Sequence, residues 1–571
     1  MNKSVWIIGL VALWATGTAN GDTWHVADIN CNQGPGSGTE GDPFCTIQLG
    51  IDAAVDGDEV VLGEGSYLET INLLGKAITV RSTDPVDPAV VAATIIDGFH
   101  LQTSVITCNS GEDENTVITG LTIKRGNPLN GGGMINIGSS PTVMNCTFSD
   151  NHATGGGAKG GGMHNISGSN PTLINCAFIN NEADYLGGGM YNANSNPTVI
   201  NCSFSGNDGS TGGGGMYNIG CNLIVTDCTF NENDATGGGG MHNEGGTAMV
   251  TNSTFSGNTA TSGGGIDNHD SDVTVTDCSF IGNSATGGGG MQNHESNVTV
   301  TGCTFRGNSA TGGGGMNNNS GDVTVTNSTF TGNTATSGGG ISTNDSNTTI
   351  SNCSFSVNYA FSLGGAAYFS VCNGCPQPVV NNSVFWGDDA MYNGEGAGSY
   401  EIWLGGWADP VMNYSNIQGG GFAGIANIDA DPLFIDADGP DDIPGTEDDN
   451  LRLSAGSPVI DAGDCTAVPV GVMTDRDGNA RFVDDPDTPD TGNPDGTPCP
   501  ADFDGDGYVN AADLAQLLGN WGSYEPCPPF GPADFNEDCA VSAADLAQLL
   551  GSWGPCSPIV DMGAYEFQGS P

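Results

Sequence analysis

The chain has 571 residues and a formal net charge of −55, with only ten Lys plus Arg. Such a length asks for several domains, and so negative a field excludes nucleic acid and anionic membranes as partners. Glycine, at 93 residues, far exceeds its usual share of about 7%, and a repeat accounts for the excess.

In chain order, residues 1–21 read as a secretory signal peptide: Lys3, an apolar run from Val5 to Trp14, then small residues from Ala15 to Gly21. The run is too short to span a bilayer, and no later segment is long enough. A secreted, extracellular or cell-surface protein without a membrane span is expected. Residues 22–105 are assigned to an N-terminal cap and first coils, with short strands around Asp56 to Tyr67 and Ile78 to Ser82. A solenoid needs a covered end to stay soluble.

Residues 106–425 carry the dominant signal. The segment Gly-Gly-Gly-Met-x-Asn recurs with its apolar residue at Met134, Met163, Met190, Met216, Met241, Ile266, Met291, Met316 and Ile341, and from Met216 onward the step is 25 residues every time. Cys/Ser-x-Phe units fall between, with aromatics from Phe148 to Phe385. A fixed period of this size marks a repeat architecture, and the unit lacks a helical pattern. From Val273 to Thr276, β-branched residues alternate with polar ones, as a half-buried strand requires. Cys278 and Phe280 continue the inward set after a bend at Asp277, and Asn283 with Gly287 to Gly290 supplies positive-φ turns. The fold class is therefore all-β, a three-sided parallel β-helix. Coils about 4.8 Å apart stack Phe on Phe, Met on Met and Asn on Asn.

These Gly-Gly-x-Ile/Met and Phe-x-x-Asn tetrapeptides resemble the repeats of polymorphic outer-membrane proteins, within the pectate-lyase-like right-handed β-helix superfamily. The resemblance covers Thr116 to Asn382 and implies the fold. It does not imply one activity, because that superfamily mixes lyases, hydrolases, adhesins and stalks. The membrane β-barrel that ends those proteins has no counterpart in this sequence. The opening segment looks like the first coils of secreted β-helix proteins. Residues 426–498, with Asp429 to Phe434 and Leu451 to Asp461, resemble the closing segment of bacterial surface β-helix proteins, and residues 557–571 look like its final strand.

Between these lies a module at residues 499–556. Asp502, Asp504, Asp506, Tyr508, Asn510 and Asp513 fall at loop positions 1, 3, 5, 7, 9 and 12, with Gly507 at 6. Hard oxygen ligands at that spacing select Ca²⁺. A second copy begins at Asp534 with Asn536, Asp538, Ser542 and Asp545, but Cys539 replaces the turn glycine and weakens the site. Helical stripes follow at Leu514, Leu517, Leu518 and Trp521, and again at Leu546, Leu549, Leu550 and Trp553. The pair resembles a type I dockerin with an α-helical EF-hand pair, which implies a cohesin-like or other surface protein as partner. A stand-alone Ca²⁺-stapled helical pair is the alternative. The acid cluster between Asp436 and Asp449 reads as a solvated loop, with a further Ca²⁺ site as its alternative.

The cysteines sort by position. Cys146, Cys176, Cys202, Cys228, Cys278, Cys303 and Cys353 share one ladder with Ser253 and Ser328, which marks small buried side chains. Cys31 with Cys45, and the set Cys465, Cys499, Cys527, Cys539 and Cys556, are disulfide candidates. Cys372 and Cys375 read as a loop disulfide rather than half a zinc site.

For function, the scarcity of basic residues departs from lyase sites on this fold. Asp270 and Glu295, one coil apart, approach the roughly 5–5.5 Å separation of retaining glycosidases and are the alternative catalytic pair. The position after Met, His164, Tyr191, Tyr217 and His242 among them, offers flat rings at regular spacing for sugar stacking. The reading is a Ca²⁺-binding, non-catalytic adhesin, structural or carbohydrate-binding rod with extracellular polysaccharide or a surface protein as partner. The alternative is a polysaccharide-degrading enzyme carrying a dockerin-like module.

Overall fold

The computed structural model describes residues 21–28, 34–391, 401–469, 472, 474–479 and 561–565, and the backbone of 508–509, 522–523, 540–541 and 554–555. Residues 1–20, nearly all of the expected signal peptide, and the side chains of the expected Ca²⁺ loops lie outside the described residues. The chain divides into two compact units, residues 1–298 and 299–571. Parallel strands in each form three sheets that the chain visits in turn.

In the first unit a short helix, Ile47–Ala53, caps the opening coils, with Thr46 accepting a bond from the Leu49 N–H. Its buried Ile47 and Ile51 belong to the core. A Cβ on Gly50 would stand 2.8 Å from the Val60 side chain and 3.1 Å from that of Val26, so only glycine lets the helix sit this low. Beyond the cap, the chain passes in each coil from a Met-x-Asn strand to a Val-x-Val strand and then to a Ser/Thr-Phe strand. Met216–Ile219, Asn222–Thr226 and Thr229–Asn231 form one such set, called here the second, first and third sheets. Register is like on like: Met216 pairs Met241, Val225 pairs Val250 and Phe230 pairs Phe255.

Stacking fills the interior. Rings from Phe148 to Phe280 lie face to face with centroids 4.6 to 5.0 Å apart. All are fully buried, each contributing about 1.5–3 kcal/mol by area alone. Two buried amide ladders run beside them. Asn136, Asn165, Asn192 and Asn218 are joined Nδ2 to Oδ1 at 2.7 Å, and Asn151, Asn181 and Asn207 at 3.0 Å. Asn181 Nδ2 also bonds the Phe148 carbonyl at 2.9 Å, so each amide bonds its neighbour or the backbone, while the Asn136 Oδ1 at the head of its ladder has no donor.

The bend at Asp277 is left-handed, φ +53, as is its counterpart Asn252 at φ +48. One sequence expectation is corrected here. The left-handed residue of the next turn is Gly282, φ +60, while Asn283 turns inward to join the amide ladder. The ladder cysteines are buried thiols, and burial pushes the Cys146 thiol up to about 12. Such thiols are small apolar spacers, not nucleophiles.

In the second unit, Phe305, Phe330, Phe355 and Phe385 stack at 4.5 to 4.7 Å. Cys372 and Cys375 form the expected loop disulfide. An antiparallel pair, Phe434–Asp436 with Asn450–Leu453, begins the closing segment. Leu453, Val459, Ile460, Ala462 and Met562 pack as one cluster on Val384. Asn382 bonds Asp464 in both directions, at 2.8 and 2.7 Å. Residues 561–565 run as bends against this cluster, without a strand among them.

Candidate functional site

Asp270 and Glu295 stand one coil apart, in the turns after Ile266–His269 and Met291–His294. Both are exposed and left-handed, φ +48 and +51. The same turn position is Gly220 and Gly245 in earlier coils, with φ +62 and +57, so backbone geometry is a sufficient reason for residues that tolerate it. A cavity bounded by Cys221, Asn243 and Ser271 has about 10 Å³ of room, enough for about one water and far short of the ~300 Å³ of a small ligand site.

The column after Met differs from the sequence expectation of open rings. His164, Tyr191 and Tyr217 are buried and His242 is half-buried. Tyr191 stacks on Tyr217 at 5.6 Å and Tyr217 on His242 at 4.7 Å, while His164 meets Tyr191 edge-on at 4.9 Å. The glycine-rich turns wall the column: Cβ atoms added at Gly160 and Gly187 would lie 2.9 Å from Cβ of His164 and Tyr191. Ile166, Ala193 and Ile219 pack nearby against Tyr191, Tyr217 and Leu186. Ring faces are thus spent on one another. Lys159 adds a bond from Nζ to the Tyr191 hydroxyl at 3.1 Å and lies over its ring.

The column continues into a charged triplet that the sequence reading passed over. Asp267 has a fully buried carboxylate whose Oδ2 lies 2.9 Å from His242 Nδ1. Its Oδ1 has no hydrogen bond of good geometry, but His269 Nε2 is 3.4 Å away. Burial pushes the Asp267 carboxyl up, but the two imidazoles outweigh it and hold it below the usual carboxylate value. The Asp267 carboxylate in turn raises His269. Tyr217 donates to Glu244, and burial followed by that carboxylate raises its phenol. Burial, then Lys159, lowers His164 to about 4. A lone acid in a ring column was the available signal.

The outer face of the first sheet has a different character. Val143, Leu173, Val199, Val225 and Val250 point inward and are fully buried. Between them, outward positions turn apolar through successive coils: Met144, Ile174 and Ile200 in one file, Ile224 and Met249 in the next. Ile224 is 44% exposed and Met249 52%. Carboxamides rim this strip on both sides. Along one edge, Asn175 donates to Asn145 at 3.1 Å and Asn201 to Asn175 at 2.6 Å. Along the other, Asn170 and Asn196 each accept a backbone N–H from the next coil at 2.7 Å. These anchored amides share one orientation, and no charge enters the strip until Asp227 at its edge. The switch from Thr to Ile or Met at outward positions was legible as pattern.

The Ca²⁺ ligands expected at Asp502, Asp504, Asp506, Asn510, Asp513, Asp534, Asn536, Asp538, Ser542 and Asp545, and the Tyr508 side chain, lie outside the described residues. The backbone there pairs Tyr508–Val509 with Gly554–Pro555 and Gly522–Ser523 with Ala540–Val541, both antiparallel. In the acidic loop, Asp449 accepts from Thr331 at 2.7 Å and from the Gly445 N–H at 2.8 Å. Asp441 caps Ile443 at 3.0 Å. These carboxylates fasten their own loop.

A family model described as right handed beta helix region matches residues 109–271 and 240–409, together over half the chain. No curated protein matches it. Among solved structures, the pectate lyase Pel9A is similar at 16% identity and a TM-score of 0.30, over 77% of this chain and 91% of its own. A rhamnogalacturonan lyase is similar at 11% identity and a TM-score of 0.21, over 76% and 97%. Likenesses of that size carry no argument about activity. Among the described residues no helix is long and apolar enough to cross a membrane.

Proposed function

The chain belongs to the right-handed β-helix family, and on that premise we propose that it is an exported, non-catalytic protein that binds neutral extracellular polysaccharide. The observation that carries this reading is the strip from Met144 to Met249, uncharged but for Asp227 at its edge, with its two carboxamide rims. Apolar side chains on a flat sheet suit the C–H faces of sugar rings, and fixed amides suit their hydroxyls, since each amide both donates and accepts. A chain of net charge −55 with one neutral face selects a neutral ligand. Catalysis is not part of the reading, because Asp270 and Glu295 occupy open turns whose residue type the backbone explains.

Calcium belongs to the proposal through the sequence of residues 499–556. The strand pairs are related by one 32-residue offset, Tyr508 with Pro555 and Ala540 with Ser523, which supports two equivalent loops joined crosswise. Extended backbone at Tyr508 fits a loop position that ligates through its carbonyl. Ca²⁺ there would neutralise the crowded carboxylates and order the module.

Incubation with insoluble neutral and acidic polysaccharides tests the function. Depletion of protein by neutral glycans, with no reducing ends or unsaturated uronates released, is the expected result. Release of either product, or binding to acidic glycans alone, would overturn it.

A further inference from the structure

We propose that His152, Glu182 and Asp184 form a zinc-class transition-metal site on the first unit, separate from the Ca²⁺ module. His152–Ala153 and Glu182–Ala183 pair in parallel with His152 opposite Glu182, so the two side chains emerge side by side from one rigid pair. Asp184 is placed by a different contact. Its Oδ2 accepts the Gly155 N–H at 2.7 Å, which turns Oδ1 toward the imidazole.

His152 Nε2 then lies 2.8 Å from Asp184 Oδ1 and 3.5 Å from Glu182 Oε1, and all three ligand atoms fall within 4.8 Å of one another. Bonds of about 2.0–2.2 Å to a tetrahedral ion place its ligands roughly 3.3–3.6 Å apart. The three atoms need only small movements to reach that arrangement.

Charge favours the same outcome. One imidazole nitrogen carries one proton and satisfies one of the facing carboxylates. Glu182 also neighbours Asp208, and Asp208 neighbours Asp234, in the next coils. A divalent cation neutralises what a single histidine cannot. One nitrogen with two oxygens suits Zn²⁺ over Ca²⁺, which takes six to eight oxygens. The Gly155 N–H acts as the outer partner that fixes a ligating carboxylate. Buried Ala153, Ala158 and Ala183 form a small apolar cluster beside the site. The three ligands are one-third to one-half exposed, which leaves a coordination position open to water.

The test uses the full chain with Ca²⁺ in excess, so that EF-hand loops are filled. Titration with Co²⁺ should give visible bands of a tetrahedral ion, saturating at one equivalent and abolished by Zn²⁺. His152→Gln should remove the bands and Asp184→Asn should weaken binding at least tenfold. His269→Gln, in the other imidazole cluster, should leave both unchanged. Circular dichroism checks that each variant keeps its strands. Absence of Co²⁺ bands in the wild type, bands that persist in folded His152→Gln, or bands lost instead with His269→Gln would overturn the site.

Discussion

At the scale of single residues, the buried column of the first unit makes opposite demands on pH. His164 is held neutral, its imidazole lowered to about 4 by burial and Lys159. The unfolded chain takes up that proton near the ordinary histidine value of about 6.5. Stability from this residue is therefore complete above pH ~6.5 and lost as pH falls toward 4, by roughly 3 kcal/mol in all. His269 works the other way. Asp267 raises it, so its contribution is complete below about 6.5 and lost as pH rises through its folded value. Asp267, held low, loses its contribution as pH falls through that depressed value. Imidazole NMR, assigned with His164→Gln and His269→Gln, should show His164 neutral down to about pH 4 and His269 protonated above the ordinary range. A shared ordinary titration would contradict the burial and pairing described for them.

At the scale of elements, the ladder of turn asparagines in the second unit ends on an acid. Asn358 donates its N–H and its Nδ2 to Asp388 Oδ1, at 2.7 and 2.6 Å, where earlier coils accept on an asparagine. Asp388 and Glu401 are both buried, each with an oxygen lacking a donor. Burial raises Asp388, and burial followed by Asp388 raises Glu401. The folded state thus keeps protons that the unfolded chain gives up near pH 4, and stability falls as pH rises above that. Asp388→Asn keeps the Oδ1 acceptor and adds a donor for Glu401. It should stabilise the unit by about 1–3 kcal/mol at neutral pH, with a smaller gain at pH 4, measured by urea unfolding. Destabilisation at neutral pH would refute this account of the two buried acids. For the Ca²⁺ module, chelation should melt residues 499–556 and leave the coils protected, because solenoid coils are held by their neighbours. Asp504→Ala should weaken Ca²⁺ uptake far more than Asn536→Ala, since Cys539 replaces the turn glycine of the second loop. Calorimetry with equal effects, or no uptake, would count against it.

The elements also show which features a sequence of this kind carries openly. The Phe, Met and Asn files were readable because one period sets both register and inward direction. The covering of His164, Tyr191 and Tyr217 was not. Alternation places them opposite Met, but the wall beside them is glycine backbone folded back from the preceding turn, which leaves no side-chain signature. The pairing of Asp267 was missed because its partners are His242, one coil away, and His269 two residues on.

At the scale of the whole molecule, charge and composition frame the function. With 65 Asp plus Glu against ten Lys plus Arg, most of the surface repels polyanions and gathers cations. The neutral strip stands apart from that field, so adsorption to a neutral polysaccharide should change little with salt, unlike a charge-driven contact. The most direct test of the central claim compares the wild type with an Ile200→Glu, Ile224→Glu double variant on an insoluble neutral glucan. Both residues are on the outer face of the first sheet, so the coils should survive and the strip should gain two charges. The expected result is adsorption by the wild type, unchanged by salt, and a loss of tenfold or more in a variant that keeps its melting temperature. Equal adsorption by the two proteins, or cleavage of the glucan by either, would contradict the account.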